Sequence, residues 1–332
     1  MLYDFLDLQK LMIKRETLEE KQISIYIITI FVGASIGLGW NGSKIVGFAI
    51  EPVIGVLLYS MFCQIPFLEL RSAFKNRSLF KALLVGNFIL IPLLVWLLVS
   101  IAPLSPVVSI GVLLVLLTPC IDYVIVFTHL GKGDSRSVLV STPLLFIFQM
   151  LLLPAFLWIF LGKDAVSIIE IAPFINAFVY LIVIPFTLSI VTQMASKYNN
   201  RIGSAIMGFS GWLPVPFMAL TFFVVIVSQI SALRNNPEPI FMVLPIYVTF
   251  ALCAPAIGML SAKMFNVDFF GARAVAFSTS TRNSLVVLPL AFSFPAPDNQ
   301  LIAAVIIIQT IVEVLFELIY IKVIPLLSKG RI

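Results

Sequence analysis

Ala276–Leu288 reads AFSTSTRNSLVVL, and Leu114–Val126 reads LVLLTPCIDYVIV. Both are apolar runs broken at their middle, one by the polar stretch Ser278–Ser284 and the other by Thr118-Pro119-Cys120-Ile121-Asp122. A proline removes a backbone donor and clashes with the preceding helical turn. Clustered Ser, Thr and Asn side chains offer the backbone hydrogen bonds that compete with a helix. Each run is therefore expected to be two half-helices joined by extended chain. A third run, Ala303–Tyr320 (AAVIIIQTIVEVLFELIY), carries Glu313 in otherwise apolar surroundings. An ionisable group at the centre of a membrane span costs roughly 2.5–3.5 kcal/mol even on gentle scales. Asp122, Arg282 and Glu313 are thus expected to face a cavity, a partner or a ligand.

The chain supports a membrane setting throughout. Of its 332 residues, 61% are hydrophobic and 11% charged, against about 45–50% and 25% in soluble domains. This is the composition of an all-α polytopic membrane protein with almost no aqueous domain. Residues 1–22 form a polar, mixed-charge amphipathic arm without the apolar core and cleavage site of a signal peptide. Cys63, Cys120 and Cys253 have neither disulfide-framework nor metal-site spacing, so neither cofactor nor bound metal is expected. The net charge of +5 is spread over many loops and does not form a nucleic-acid-binding patch.

A bilayer crossing needs about 20 apolar residues, and ten runs qualify: 23–42, 46–68, 79–101, 107–130, 138–162, 168–195, 203–231, 239–263, 272–294 and 300–327. Of the 21 lysines and arginines, Lys44, Lys163 and Arg234 fall on one side and Arg282 within a span. All the others fall on the opposite side. The positive-inside rule then places both termini in the cytoplasm, in the plasma (inner) membrane.

Ten spans divide into two sets of five, 23–162 and 163–332, entering the bilayer from opposite faces. This is the arithmetic of an inverted repeat. Spans four and nine hold corresponding places, and interrupted helices in matching positions point to a carrier's binding site. Cys120, Arg282 and Glu313 lie about 10–13 residues into their spans, or roughly 15–20 Å deep at 1.5 Å per residue. They are expected to converge where the broken helices cross at mid-membrane. Pro92, Pro143, Pro185 and Pro255 are expected only to kink helices.

Arg282 brings a permanent charge whose planar fork suits an oxyanion; it is also expected to pair with Asp122. Asp122 can carry a proton, and its protonation depends on whether burial or Arg282 dominates. Gln309, Glu313 and Glu317 fall on one helix face at i, i+4 and i+8, a stripe suited to a proton path. Thr118, Ser280 and Asn283 sit in the breaks beside Cys120 and Arg282, where substrate is expected. A thiolate suits a soft metal or trivalent metalloid, although on residue type alone a free cysteine in apolar surroundings is inert packing. His129 reads as a solvated group at a span end. The sequence lacks nucleophile-elbow, Walker and HExxH motifs. A carrier without an ATP site must draw on an ion gradient or run uncoupled.

Several strings, in order and at matching span positions, carry a family likeness. They are Asn87–Pro92, Thr118-Pro119-Cys120 with Tyr123–Phe127, Gly131–Asp134, Arg282-Asn283 with Leu285–Ala291, and Val312-Glu313-Val314. The chain resembles the bile acid/sodium symporter superfamily over nearly all of 23–328, and most resembles its arsenical-resistance (arsenite permease) branch. The resemblance implies two inverted five-helix repeats, a panel and a core domain, and broken helices four and nine crossing at the site. It also implies functional roles for Cys120 and Glu313. Two departures stand out. Ser278 and Arg282 occupy positions where sodium-coupled members place cation ligands, so a fixed positive charge replaces a sodium site. Arg282 and Asp122 also replace the asparagine and small residue of the usual arsenite carriers, marking a divergent subgroup.

The expected activity is export of arsenite, antimonite or a related metalloid oxyanion by alternating access, coupled to protons. Cys120, Arg282, Asn283, Thr118 and Ser280 would contact substrate, and Asp122, Glu313 and Glu317 would handle protons. The alternative is an uptake carrier for a small organic anion, anchored by Arg282. A membrane sensor or scaffold would need more loop surface than this chain has.

Overall fold

The computed structural model describes residues 2–39, 46, 48–65, 67, 76–121, 123–166, 176, 178–198, 201–235, 238–295 and 297–327. Its helices run α1 Leu2–Gly39, α2 Ile50–Gln64, α3 Arg77–Val85, α4 Ile91–Ile101, α5 Pro106–Leu116, α6 Val124–Leu130 and α7 Ser135–Val166. They continue as α8 Ile184–Lys197, α9 Arg201–Ser210, α10 Pro214–Asn235, α11 Glu238–Met264, α12 Phe269–Ser280, α13 Ser284–Phe292 and α14 Asp298–Leu327. The arm foreseen at residues 1–22 is helical from residue 2 and continues unbroken into the first apolar run.

Local chemistry sets many of these ends. Ser105 caps α5 with Pro106 in its first turn, Asp268 caps α12, and Asn283 caps α13. Each side-chain oxygen satisfies one of the orphan N–H groups at a helix start. Turns of π-helix at Gly86–Leu90 and Val179–Val183 lead directly into Ile91-Pro92 and Ile184-Pro185. A proline cannot continue the i→i−4 ladder, and the wider turn absorbs the missing bond.

Arg77–Ile101, Ser135–Leu161, Phe241–Met264 and Asp298–Leu327 are long and apolar enough to cross a membrane. The pair Arg201–Ser210 and Pro214–Ser228, bent by 50°, makes a fifth crossing if taken as one broken span. Polarity is distributed as in a bilayer protein. Leu151, Trp158, Leu252 and Leu260 are exposed, whereas Gln309, Glu313 and Glu317 are buried. Apolar surface outside and polar groups inside is the arrangement that hydrocarbon selects. This is an integral membrane protein.

The chain forms two compact units. One comprises Met1–Gln64 with Phe178–Asn235, the other Ile65–Ala177 with Asn236–Ile332. In the first, α1 packs on α10 through Tyr26 edge-on to Phe222 and through Gly33 against Ile226. There α2 packs on α8, where Gln193 Nε2 donates to the Phe62 carbonyl at 3.0 Å.

The second unit holds both polar breaks, the one between α5 and α6 and the one between α12 and α13. In it α11 lies against α12 through Gly258, where an added Cβ would stand 2.2 Å from Thr279 Oγ1, 2.6 Å from Ala276 Cα and 2.9 Å from the Val275 carbonyl. Backbone atoms cannot yield as a flexible side chain can. Gly258→Ala is therefore expected to destabilise the fold by about 1–3 kcal/mol, read as a lower unfolding temperature in detergent.

Candidate functional site

The two breaks meet backbone to backbone. α5 ends at Leu116 and α6 starts at Val124; α12 ends at Ser280 and α13 starts at Ser284. Between them Pro119 and Arg282 form an isolated antiparallel bridge. Cys120 N–H donates to the Thr281 carbonyl at 3.0 Å, and Asn283 N–H donates to the Thr118 carbonyl at 2.8 Å. Buried extended chain must satisfy its own N–H and C=O groups, and each break supplies what the other lacks.

Four half-helix ends meet around this crossing, and Arg282 serves the two C-terminal ones. Its guanidinium is fully buried. The two Nη2 hydrogens are shared among the Ser278 and Thr279 carbonyls, both at 2.7 Å, and Asn87 Oδ1 at 2.8 Å. Nη1 donates to the Leu116 carbonyl at 3.3 Å. Three of these oxygens belong to the last turns of α12 and α5, where carbonyls lack helical donors and the helix dipole is negative. The fourth, Asn87, lies in the π-turn and also donates to Ser278 Oγ at 3.0 Å. The Phe250 ring stands 5.6 Å from Cζ, adding a cation–π contact. Asp122, the partner foreseen for Arg282, lies outside the described residues.

Glu313 fastens α14 to the crossing. Its Oε2 accepts from Arg282 N–H at 2.8 Å and from Gln309 Nε2, and its Oε1 meets the Tyr123 hydroxyl at 2.6 Å. The same hydroxyl lies 3.0 Å from the Arg282 carbonyl. One hydroxyl hydrogen cannot serve two acceptors. With Glu313 ionised, Tyr123 donates to the carboxylate. With Glu313 protonated, Oε1–H donates to Tyr123, whose own hydrogen turns to the Arg282 carbonyl.

Glu317 repeats the pattern one turn on. Thr281 Oγ1 lies 2.6 Å from Glu317 Oε1 and 2.7 Å from the Phe277 carbonyl. Both contacts are hydrogen bonds only when Glu317 carries a proton. A cavity of about 10 Å³ adjoins Ser280, Gln309 and Glu313, room for about one water.

Cys120, Thr118, Asn283 and Ser280 are all buried at the crossing. The Thr118 hydroxyl donates to the Leu114 carbonyl at 2.6 Å, and the Ser280 hydroxyl donates to the Ala276 carbonyl. Full burial of Cys120, against partial exposure of Cys253, has a measurable consequence. Cys120 should resist a membrane-permeant maleimide in the folded carrier and react after denaturation; peptide mass spectrometry would read both states. Sequence reasoning named the three charged groups but gave no role to Tyr123, Asn87 or Thr281. The polar character of Ser278–Ser284 was the available signal for Thr281, whereas Tyr123 lies in an apolar string.

The model of the Sodium Bile acid symporter family matches residues 51–236, more than half of the chain. The protein belongs to the sodium bile acid symporter family. Its members are transporters, and this chain is a membrane transporter of that family. The matched segment runs from α2 through α10 and contains Cys120 and Tyr123. A search of curated proteins finds no match.

Proposed function

We propose that this family member exports arsenite, antimonite or a related small metalloid oxyanion in exchange for protons, by alternating access. The carrying observation is the meeting of Cys120, Arg282 and Glu313 at one crossing, joined through the Thr281 carbonyl and the Arg282 amide. A soft thiol beside hydroxyl and amide groups suits a trivalent metalloid bearing hydroxyls. Thr118, Ser280 and Asn283 would supply the polar contacts. Glu313 and Glu317 would take and release protons, with Tyr123 passing the change to the Arg282 carbonyl. Asp122 is assigned to the same proton path by its sequence position.

The proposal includes ten spans in two inverted five-helix repeats, 23–162 and 163–332, with both termini cytoplasmic. Support comes from the apolar runs, the sorting of lysine and arginine, and the paired breaks of spans four and nine. It also places the carrier in the arsenical-resistance branch, in the plasma (inner) membrane.

In metalloid-sensitive cells, the wild-type chain is expected to restore growth on arsenite, while Cys120→Ser and Glu313→Gln are not. Full resistance in both variants would overturn the assignment. The family name favours a second reading, sodium-linked uptake of an organic anion. Such an anchor would need the Arg282 guanidinium free to meet a carboxylate, whereas here it is turned into protein oxygens.

A further inference from the structure

A family named for sodium symport implies a cation among protein oxygens. In carriers with broken helices, the C-terminal ends of half-helices and unwound carbonyls are the usual cation ligands. This chain has that donor set: the Ser278 and Thr279 carbonyls and Asn87 Oδ1 surround Nη2 at 2.7–2.8 Å, and the Leu116 carbonyl lies 3.3 Å from Nη1. The space among them is taken by the Arg282 guanidinium, so a sodium ion does not fit there.

We propose that Arg282 is a tethered cation filling a latent alkali-cation site, and that removing its side chain opens the site to sodium or potassium. Three observations support this. The four oxygens are neutral, so the guanidinium is the positive charge that the two half-helix ends require. Its contacts are hydrogen bonds to acceptors that would otherwise be orphans, and a bare cation can satisfy the same acceptors. Glu313 meets Arg282 at the backbone N–H, so the carboxylate's contact persists when the side chain is removed. The native carrier therefore needs no alkali cation for its fold and draws nothing from a sodium gradient at this point.

The test reads binding, so its outcome is independent of which substrate is carried. Wild type, Arg282→Ala and Arg282→Gln would be purified in detergent. Their unfolding temperatures would be measured in sodium, potassium and choline chloride at equal ionic strength. The wild type should unfold at one temperature in all three salts. Both variants should unfold lower in choline and recover by several degrees, saturably, in sodium or potassium. Adding Asn87→Ala to Arg282→Ala should weaken that recovery. Unfolding temperatures that ignore the cation in both variants would overturn the proposal. So would a wild type stabilised by sodium, or variants that fail to fold even in sodium and potassium.

Discussion

Glu313→Gln should leave a folded carrier whose proton-driven transport falls to background. The substitution imitates the protonated side chain almost atom for atom. A glutamine oxygen can accept from Arg282 N–H and Gln309, the two donors now on Oε2. Its amide can donate to Tyr123, whose hydroxyl then turns to the Arg282 carbonyl 3.0 Å away. Each hydrogen bond of the protonated side chain finds a counterpart, and the second amide N–H is one added buried donor, so the destabilisation should be about 1–3 kcal/mol. What is lost is exchange between the two hydrogen-bond arrangements. Glu313→Ala separates the two effects, because it strands two donors, Arg282 N–H and Gln309 Nε2, at about 1–3 kcal/mol each before any recovery by water, while the Tyr123 hydroxyl turns to the Arg282 carbonyl. The checks are counterflow in proteoliposomes, which needs no net proton movement, and pH-driven uptake. Glu313→Gln should retain the first and lose the second.

Arg282→Met should be the most destabilising single change at the crossing in buffer free of sodium and potassium. Methionine fills much of the volume and donates nothing. Four acceptors, Asn87 Oδ1 and the carbonyls of Leu116, Ser278 and Thr279, lose their donor. Each buried acceptor left alone costs about 1–3 kcal/mol. Against that stands relief from burying a charge, itself several kcal/mol in real proteins. The two half-helix ends weigh on the side of loss, each at up to about 2 kcal/mol in buried geometry. The net expectation is a destabilisation of about 3 kcal/mol. Unfolding midpoints of wild type, Arg282→Met and Arg282→Lys would check it, with lysine falling between the other two.

Much of the site was legible in the sequence because its signals are local. Pro119 and the polar run Ser278–Ser284 interrupt apolar segments, and the helices break at those places. The i, i+4, i+8 spacing of Gln309, Glu313 and Glu317 put them on one face, and all three are buried. The groups that complete the site are distant in sequence from their partners. Asn87 and Arg282 are 195 residues apart, and Tyr123 and Glu313 are 190 apart. A tyrosine or asparagine in an apolar string has no periodicity that reveals its partner. The two-unit division was equally hidden, because α1 and α2 pack with α8 and α10 across a long stretch of intervening chain.

Arg282 shows what residue type alone leaves open about a side chain's surroundings. A guanidinium at mid-membrane suggests an anion hook. In this structure its fork faces the carbonyl ends of α5 and α12, and its backbone N–H meets the nearby Glu313 carboxylate. The positive charge thus lies against the two carbonyl ends, and Cys120 and the hydroxyl and amide groups of the breaks are proposed substrate contacts beside it.

The most direct measurement is accumulation of radiolabelled arsenite and arsenate in everted membrane vesicles, with an imposed proton gradient or an imposed sodium gradient. The account predicts arsenite accumulation when the vesicle interior is acid, indifference to sodium, and loss of accumulation in Cys120→Ala and Glu313→Gln. Absence of accumulation of either oxyanion, or sodium-driven accumulation that survives in both variants, would contradict it.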